Sequence, residues 1–469
     1  MTDPTTLAAS ANASVCAPAG YGKTELIGRA LLAGPEKRHL VLTHTHAGVH
    51  ALRERFQTLG VPRERYRIDT IAGWALQYAQ AFPKTTAYTP PQQALKENWQ
   101  TVYEGVTTLL QTSPARNTLK HTYVGAYIDE YQDCTKPQHE LITSIAALIP
   151  CRVLGDPLQA IFNFAEPTVD WTTDVTTAFP SLPALTTPYR WQHDPTFATW
   201  IQQVRTALDN EQPINLGDGR PNAVITNQPG SPLERTQFLQ RAVNRTRNDG
   251  RTVVITQWAQ QCPRVAQQTK GPLVIEPIDS DDFVTAATTI MDSQGTARVN
   301  ALLALAAKCY TGFDQQTKQR LIGAAQGTIR PRTATHDEQI NALRAVLATN
   351  DATPIPDALS ALAHTPGARI TRPELYFEIR RSFQNFLDGA HETIIDALAH
   401  TRQITRQQGR RLTSQTVGHT LLIKGLEFDH AIVLDPEALN AQNLYVALTR
   451  GKKSLTIITN TTTLRPNTG

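Results

Sequence analysis

Strong charge of either sign is missing from this sequence. Its 469 residues carry 45 Lys and Arg against 41 Asp and Glu, a net charge of +4. So mild a balance permits a polyanionic partner but does not argue for one. Cysteine is scarce: Cys16, Cys134, Cys151, Cys262 and Cys309 form no CxxC pair and no Cys/His cluster. Neither a disulfide framework nor a zinc site is supported, and a reducing, cytoplasmic setting is expected. No run of about 18 apolar residues occurs, so no membrane span is expected. The opening MTDPTTLAASANAS has no basic region followed by an apolar core, so no signal peptide is expected there. Internal repeats and low-complexity segments are absent too.

What is there suits a globular protein of two or three domains, with 40% hydrophobic and 18% charged residues. From residue 15 to about residue 190, short apolar runs alternate with longer amphipathic stretches. HLVLTHT (39–45), AYIDEYQD (126–133) and CRVLGD (151–156) read as buried strands ending in polar residues. ELIGRALLAG (25–34) and AGVHALRERF (47–56) read as helices. This order predicts an α/β fold, a parallel sheet covered on both faces, with ligands at the carboxyl ends of its strands. RTVVITQW (251–258), HAIVLD (430–435) and SLTIITN (454–460) predict strands of a second α/β unit. Helical spacing fills 283–410, interrupted by turns such as NDATPIP, and predicts a mostly helical insertion.

APAGYGKTE (17–25) has the makings of a phosphate-binding loop. Such a loop needs inward backbone N–H groups at a helix start, small residues for close approach, a Lys for charge and a hydroxyl for Mg²⁺. Gly20 and Gly22 give the freedom, Lys23 the charge and Thr24 the hydroxyl, with a strand-like ASVCA before and a helix behind. Roughly a hundred residues on, Asp129 and Glu130 end an apolar strand. Asp129 is a candidate to hold Mg²⁺, and Glu130 to polarise the attacking water. An acidic turn after a strand is common, but Gln132 and Asp133 at the same strand end favour a site.

DEYQD (129–133) resembles the DExQD box of UvrD/Rep-type superfamily 1 helicases. Other segments resemble that family's motifs in its order: VLTHTHAGVHALRERF (41–56), IDTIAGWALQYAQAFP (68–83), RVLGDPLQAIFNF (152–164), TTPYRW (186–191), TVGHTLLIKGLEFDHAIVL (416–434) and NLYVALTRGKKSLTI (443–457). The resemblance implies two RecA-like P-loop NTPase domains with parallel sheets plus reduced, mostly helical insertions. The first would span 1–190 with a short insertion near 83–120, the second 191–282 with 411–469, and the helical insertion 283–410.

It also implies roles. Ala19, Gly20, Tyr21, Gly22, Lys23, Thr24 and Glu25 would form the ATP loop, with Thr24 and Asp129 on Mg²⁺. Glu130 would be the base, and Gln159 would couple the γ-phosphate to the strand side. Arg190 and Arg450 would act as arginine fingers from the second domain. Tyr189 would stack on adenine, Glu427 would bind ribose, and Gly425 would allow close backbone approach. Thr43, Thr45, His46, Thr70, Trp74, Phe164 and His419 are candidates for contact with single-stranded DNA, Trp74 and Phe164 as stacking platforms.

The sequence departs from the family pattern in places. No LNxxQ segment precedes the loop, Glu25 stands where an adenine-flanking Arg is common, and Ala72-Gly73 replaces His-Ser. The expected function is an ATP-dependent single-strand DNA translocase or helicase, 3′ to 5′ by family analogy, acting on single-stranded DNA or a junction. A second expectation keeps a DNA-stimulated ATPase that senses DNA and regulates a nuclease partner; small UvrD-like proteins accompany nucleases in Gabija-type anti-phage systems. A nucleotide-binding regulator without hydrolysis is a third.

Overall fold

The computed structural model describes residues 2–467 except 90–97, 163–166, 218, 278–279, 331–332 and 409–412. By internal contacts the chain divides into two compact units. One comprises residues 1–226, 423–431 and 435–469; the other comprises 227–422 with 432–434.

The first unit is organised by five strands: β1 (Ala13–Cys16), β2 (His39–Thr43), β3 (Tyr66–Thr70), β4 (Ala126–Ile128) and β5 (Cys151–Gly155). They lie in the order β1-β5-β4-β2-β3, and every pairing is parallel. Side chains alternate between two covered faces, which is why β2, β4 and β5 are largely apolar on both. Leu40, Leu42, Ala126, Ile128, Cys151 and Val153 enter one core. Val15, Val41, Tyr127 and Leu154 enter the other, on the opposite face. Helices Lys23–Ala33 and His46–Thr58 cover the second face, and Ile71–Ala81, Trp99–Leu109 and Lys136–Ala146 the first. β3 follows a 3-10 turn at Arg63–Arg65 and pairs with β2 in register, Asp69 opposite Leu42.

A second sheet has six strands, in the order Val224–Asn227, Gly451–Ile458, Phe428–Leu434, Thr252–Thr256, Gln415–His419 and Leu273–Val274. Within the second unit, Gln415–His419 runs parallel to both of its neighbours there. From Asp281 to Gln408 the described residues are almost entirely helical, around a core that includes Leu302, Leu343, Leu359, Tyr376 and Phe383. Arg372 is buried beneath it and paired, through Nε and Nη2, with Glu276 at 2.6 Å and Asp282 at 2.7 Å. Among the described residues no helix is long and apolar enough to cross a membrane.

Candidate active site

The site grows from the carboxyl ends of β1, β4 and β5. After β1 the chain turns through a loop that only glycine accommodates at two points. Gly20 and Gly22 have φ of 77° and 86°. A Cβ on Gly20 would lie 2.8 Å from that of Arg190, and one on Gly22 would lie 3.1 Å from the Tyr189 ring. Gly22 caps helix Lys23–Ala33, whose first amides have no intrahelical partner. Lys23 is buried; its ammonium donates to the Ala17 carbonyl at 3.1 Å and stands 3.9 Å from Glu130. Thr24 and Asp129 line one cavity. The Ala19 amide donates to the Tyr445 hydroxyl at 3.3 Å, and the Tyr21 hydroxyl accepts from Gln202 at 3.0 Å. Glu25 pairs with Arg29 at 2.6 Å and Arg55 at 3.3 Å.

Asp129 and Glu130 follow β4. Glu130 holds a left-handed φ of 57°, a conformation costing a non-glycine residue about 1–3 kcal/mol. The surroundings fix it there. Gln132 donates to its carboxylate at 2.6 Å, and the Asp156 amide in turn donates to Gln132 at 3.0 Å. Burial and the neighbouring Glu130 carboxylate push Asp129 up to about 7. Burial works against the charge of Glu130 as well, but Lys23 and Lys424 overcome it and hold that carboxyl down at about 2. Lys23 and Lys424 thus flank the Glu130 carboxylate, each at 3.9 Å.

Beyond β5, Asp156 is fully buried and gathers the next layer. Arg205 lies 2.8 Å from it, and Gln159 donates to it at 2.8 Å. Arg205 also donates to the Tyr445 hydroxyl at 3.2 Å, closing a path back to the Ala19 amide. The other end of Gln159 accepts from Arg450 at 3.2 Å. Lys424 donates to the Gln159 carbonyl and to Asp133, and its ammonium stands 3.9 Å from Glu130. Arg190 donates to the Thr449 carbonyl at 2.8 Å and to Glu427 at 2.7 Å. Lys452 takes the second oxygen of Glu427 at 2.7 Å. Thr24, His44, Thr45, Asp129, Glu130, Asp133, Phe162, Lys424 and Gly425 line a cavity of about 40 Å³, room for an ion-sized group.

The matched segment carries two of these strand ends. Residues 92–180 match the family model of the UvrD/REP helicase N-terminal domain. The match supports a UvrD-like helicase, and with it nucleotide-driven work on DNA. It includes Asp129, Glu130 and Gln159 and leaves the phosphate loop outside. No curated protein matches the chain.

Four cations thus come together around one loop: Lys23, Arg190, Lys424 and Arg450. By contacts Arg190 and Arg450 fall in the same unit as the phosphate loop. Tyr189 is 49% exposed, its ring beside Gly22. Glu427, expected on ribose, is held between two cations. Gly425 has φ of 78°.

The strand-facing expectations fare differently. Trp74 has no exposed surface and packs on Tyr78 with ring centroids 4.4 Å apart, so it offers no face to a base. It belongs to the core because helix Ile71–Ala81 turns Ile71, Trp74 and Ala75 inward at helical spacing. Thr43 is fully buried, and its hydroxyl has no partner. Thr45 and Thr70 are N-caps, accepting from the amides of Gly48 at 3.0 Å and Gly73 at 2.8 Å. His46 is exposed at the start of its helix. His419 is half-buried at the end of its strand in the second unit. Phe164 lies outside the described residues.

Sequence reasoning assigned no role to Lys424, although it opens the KGLEFD string. Arg205 carried no signal at all. It sits in helix Pro195–Asp209, outside any motif, and its importance emerges only from its contact with Asp156.

Proposed function

We propose that this chain is an ATP-driven motor on single-stranded DNA, moving 3′ to 5′ and opening duplex at junctions. The observation that carries the reading is the convergence of Lys23, Arg190, Lys424 and Arg450 around the phosphate loop and Glu130. A triphosphate seated on the loop amides meets Lys23 at its β- and γ-phosphates. Glu130, ionised and held by Gln132, takes the proton from the attacking water. Arg190 and Arg450 face the charge that develops on the transferred phosphoryl group.

Thr24 and Asp129 suit Mg²⁺, which takes one or two protein oxygens and otherwise phosphates and waters. The fit rests on Thr24 and Asp129 lining the same cavity. Among the described residues no cluster of three or more His, Cys, Asp or Glu could hold a metal alone. Bound there, Mg²⁺ supplies charge neutralisation on the phosphates. Tyr189 gives the base a stacking face. A γ-phosphate competes for Arg450 and Lys424, which otherwise bind Gln159 and Asp133. Releasing those pairs is how nucleotide state would reach β5 and the cleft residues His44, Thr45 and Phe162.

The test is an ATPase assay with and without single-stranded DNA, run beside unwinding of a forked duplex. Turnover rises with DNA and the fork opens. Lys23→Ala and Glu130→Gln abolish turnover, Glu130→Gln by about 10²–10⁴-fold with nucleotide binding retained. Substantial residual turnover in either would sink the site. Stimulation without unwinding would favour a DNA-sensing switch over a motor, and equal stimulation by RNA would undo the DNA assignment.

A further inference from the structure

With Trp74 in the core, the second unit offers an aromatic of the opposite kind. Trp258 is 59% exposed. It stands two residues past strand Thr252–Thr256, at the carboxyl end, the edge where parallel α/β sheets bind their ligands. The neighbouring strand places His419 opposite Thr256. Trp258 and His419 therefore finish adjacent parallel strands at one edge.

The indole does not ride on a loose loop. The Trp258 amide donates to the Gln261 side chain at 3.1 Å, and its carbonyl accepts from the Thr256 hydroxyl at 3.1 Å. The backbone is pinned on both sides while most of the ring meets water. Its sequence neighbours are Gln257, Ala259, Gln260 and Gln261. A protein-docking patch needs contiguous apolar area, which this polar run does not supply, whereas a single ring suffices for one base.

Charge points the same way. Residues 250–275 contain Arg251, Arg264 and Lys270 and no Asp or Glu. Residues 397–426, which carry the His419 strand, also contain no Asp or Glu. In a chain nearly balanced in charge, neither stretch brings a carboxylate to oppose a polyanion at this edge, and Glu276, just past the next strand, is buried and paired with Arg372.

We propose that Trp258 is a base-stacking platform for an unpaired nucleotide of single-stranded nucleic acid, with His419 beside it on the same sheet edge. The inference rests on the motor reading, and its test separates the two. Affinity of the full chain for a fluorescent oligothymidylate is measured for the wild type, Trp258→Ala and Trp258→Phe, with a blunt duplex in parallel. Trp258→Ala weakens single-strand binding about 5- to 100-fold, Trp258→Phe stays within a few-fold of the wild type, and the unfolding midpoint does not move. Tryptophan fluorescence falls on oligonucleotide binding in the wild type, and less so in Trp258→Phe.

Unchanged affinity in Trp258→Ala would overturn the inference and leave the motor reading standing. Equal losses on single strand and blunt duplex would also overturn it, since phosphate contact and not stacking would be at work. A wild type that binds no single strand would bring down the motor reading and the inference together.

Discussion

His44 shows how much one side chain at the site depends on its surroundings. It ends the apolar run of β2, lines the cleft with Lys424 and Glu130, and meets the Phe162 ring edge-on at 5.8 Å. Burial first, then the charge of Lys424, pushes its pKa from 6.5 down to about 4. In the folded chain the ring is neutral at pH 5, while in the unfolded chain it is protonated. The unfolded state then binds more protons, so stability rises with pH across this window. The contribution is complete above about pH 6.5 and is lost as pH falls toward 4, amounting to at most about 3 kcal/mol. His44→Phe should flatten the fall of urea midpoint between pH 6.5 and 4; an unaltered slope would remove His44 from the account. Nothing in THTH told this histidine apart from His46, which stays exposed. Its burial and the charge of a lysine nearly four hundred residues away in sequence set it apart. Asp129 and Glu130 were legible because strand end and acid pair are local features. Lys424 and Arg205 were not, because their roles exist only through partners distant in sequence.

At the scale of elements, the sequence reading found strands that are apolar on both faces and was weaker where a strand is partly polar. β3, YRIDT, alternates half-buried and buried residues, and its apolar content does not announce a strand. Helix Ile71–Ala81 illustrates a related confusion, between an aromatic for the core and one for a ligand. Trp74 lies at helical spacing with Ile71 and Ala75, and its indole N–H has no partner. Trp74→Ala should cost about 3–5 kcal/mol by urea unfolding, through lost burial and a cavity. Trp74→Phe keeps most of the ring, removes the stranded N–H and should cost far less. A Trp74→Ala protein of unchanged stability but weakened DNA binding would reverse this assignment. Thr70 fills a cap at the same helix, and its hydroxyl is spent on the Gly73 amide.

At the scale of the molecule, the decisive feature is discontinuity. The first unit takes in residues 1–226, then nothing until 423. Its site needs Lys424, Glu427, Tyr445 and Arg450, all from the late segment. Residues 1–226 alone should therefore bind a fluorescent ATP analogue poorly, and a peptide spanning 423–469 added in trans should raise the affinity. Full-strength binding by the fragment alone would show the late segment to be dispensable. The mild net charge belongs to this scale as well. It said little about partners because the acid-free stretches around Trp258 are balanced by carboxylates elsewhere in the chain.

Discontinuity also bears on how the protein comes into being. A ribosome working at about 5–20 residues per second needs on the order of 10–40 s to pass from residue 226 to residue 423. Throughout that interval the nascent first unit has its sheet but lacks the Tyr445 hydroxyl for Ala19 and the carboxylate that neutralises Arg190. The loop amides and a buried guanidinium wait without their partners, and the nucleotide site is sealed only once residues 423–469 have emerged.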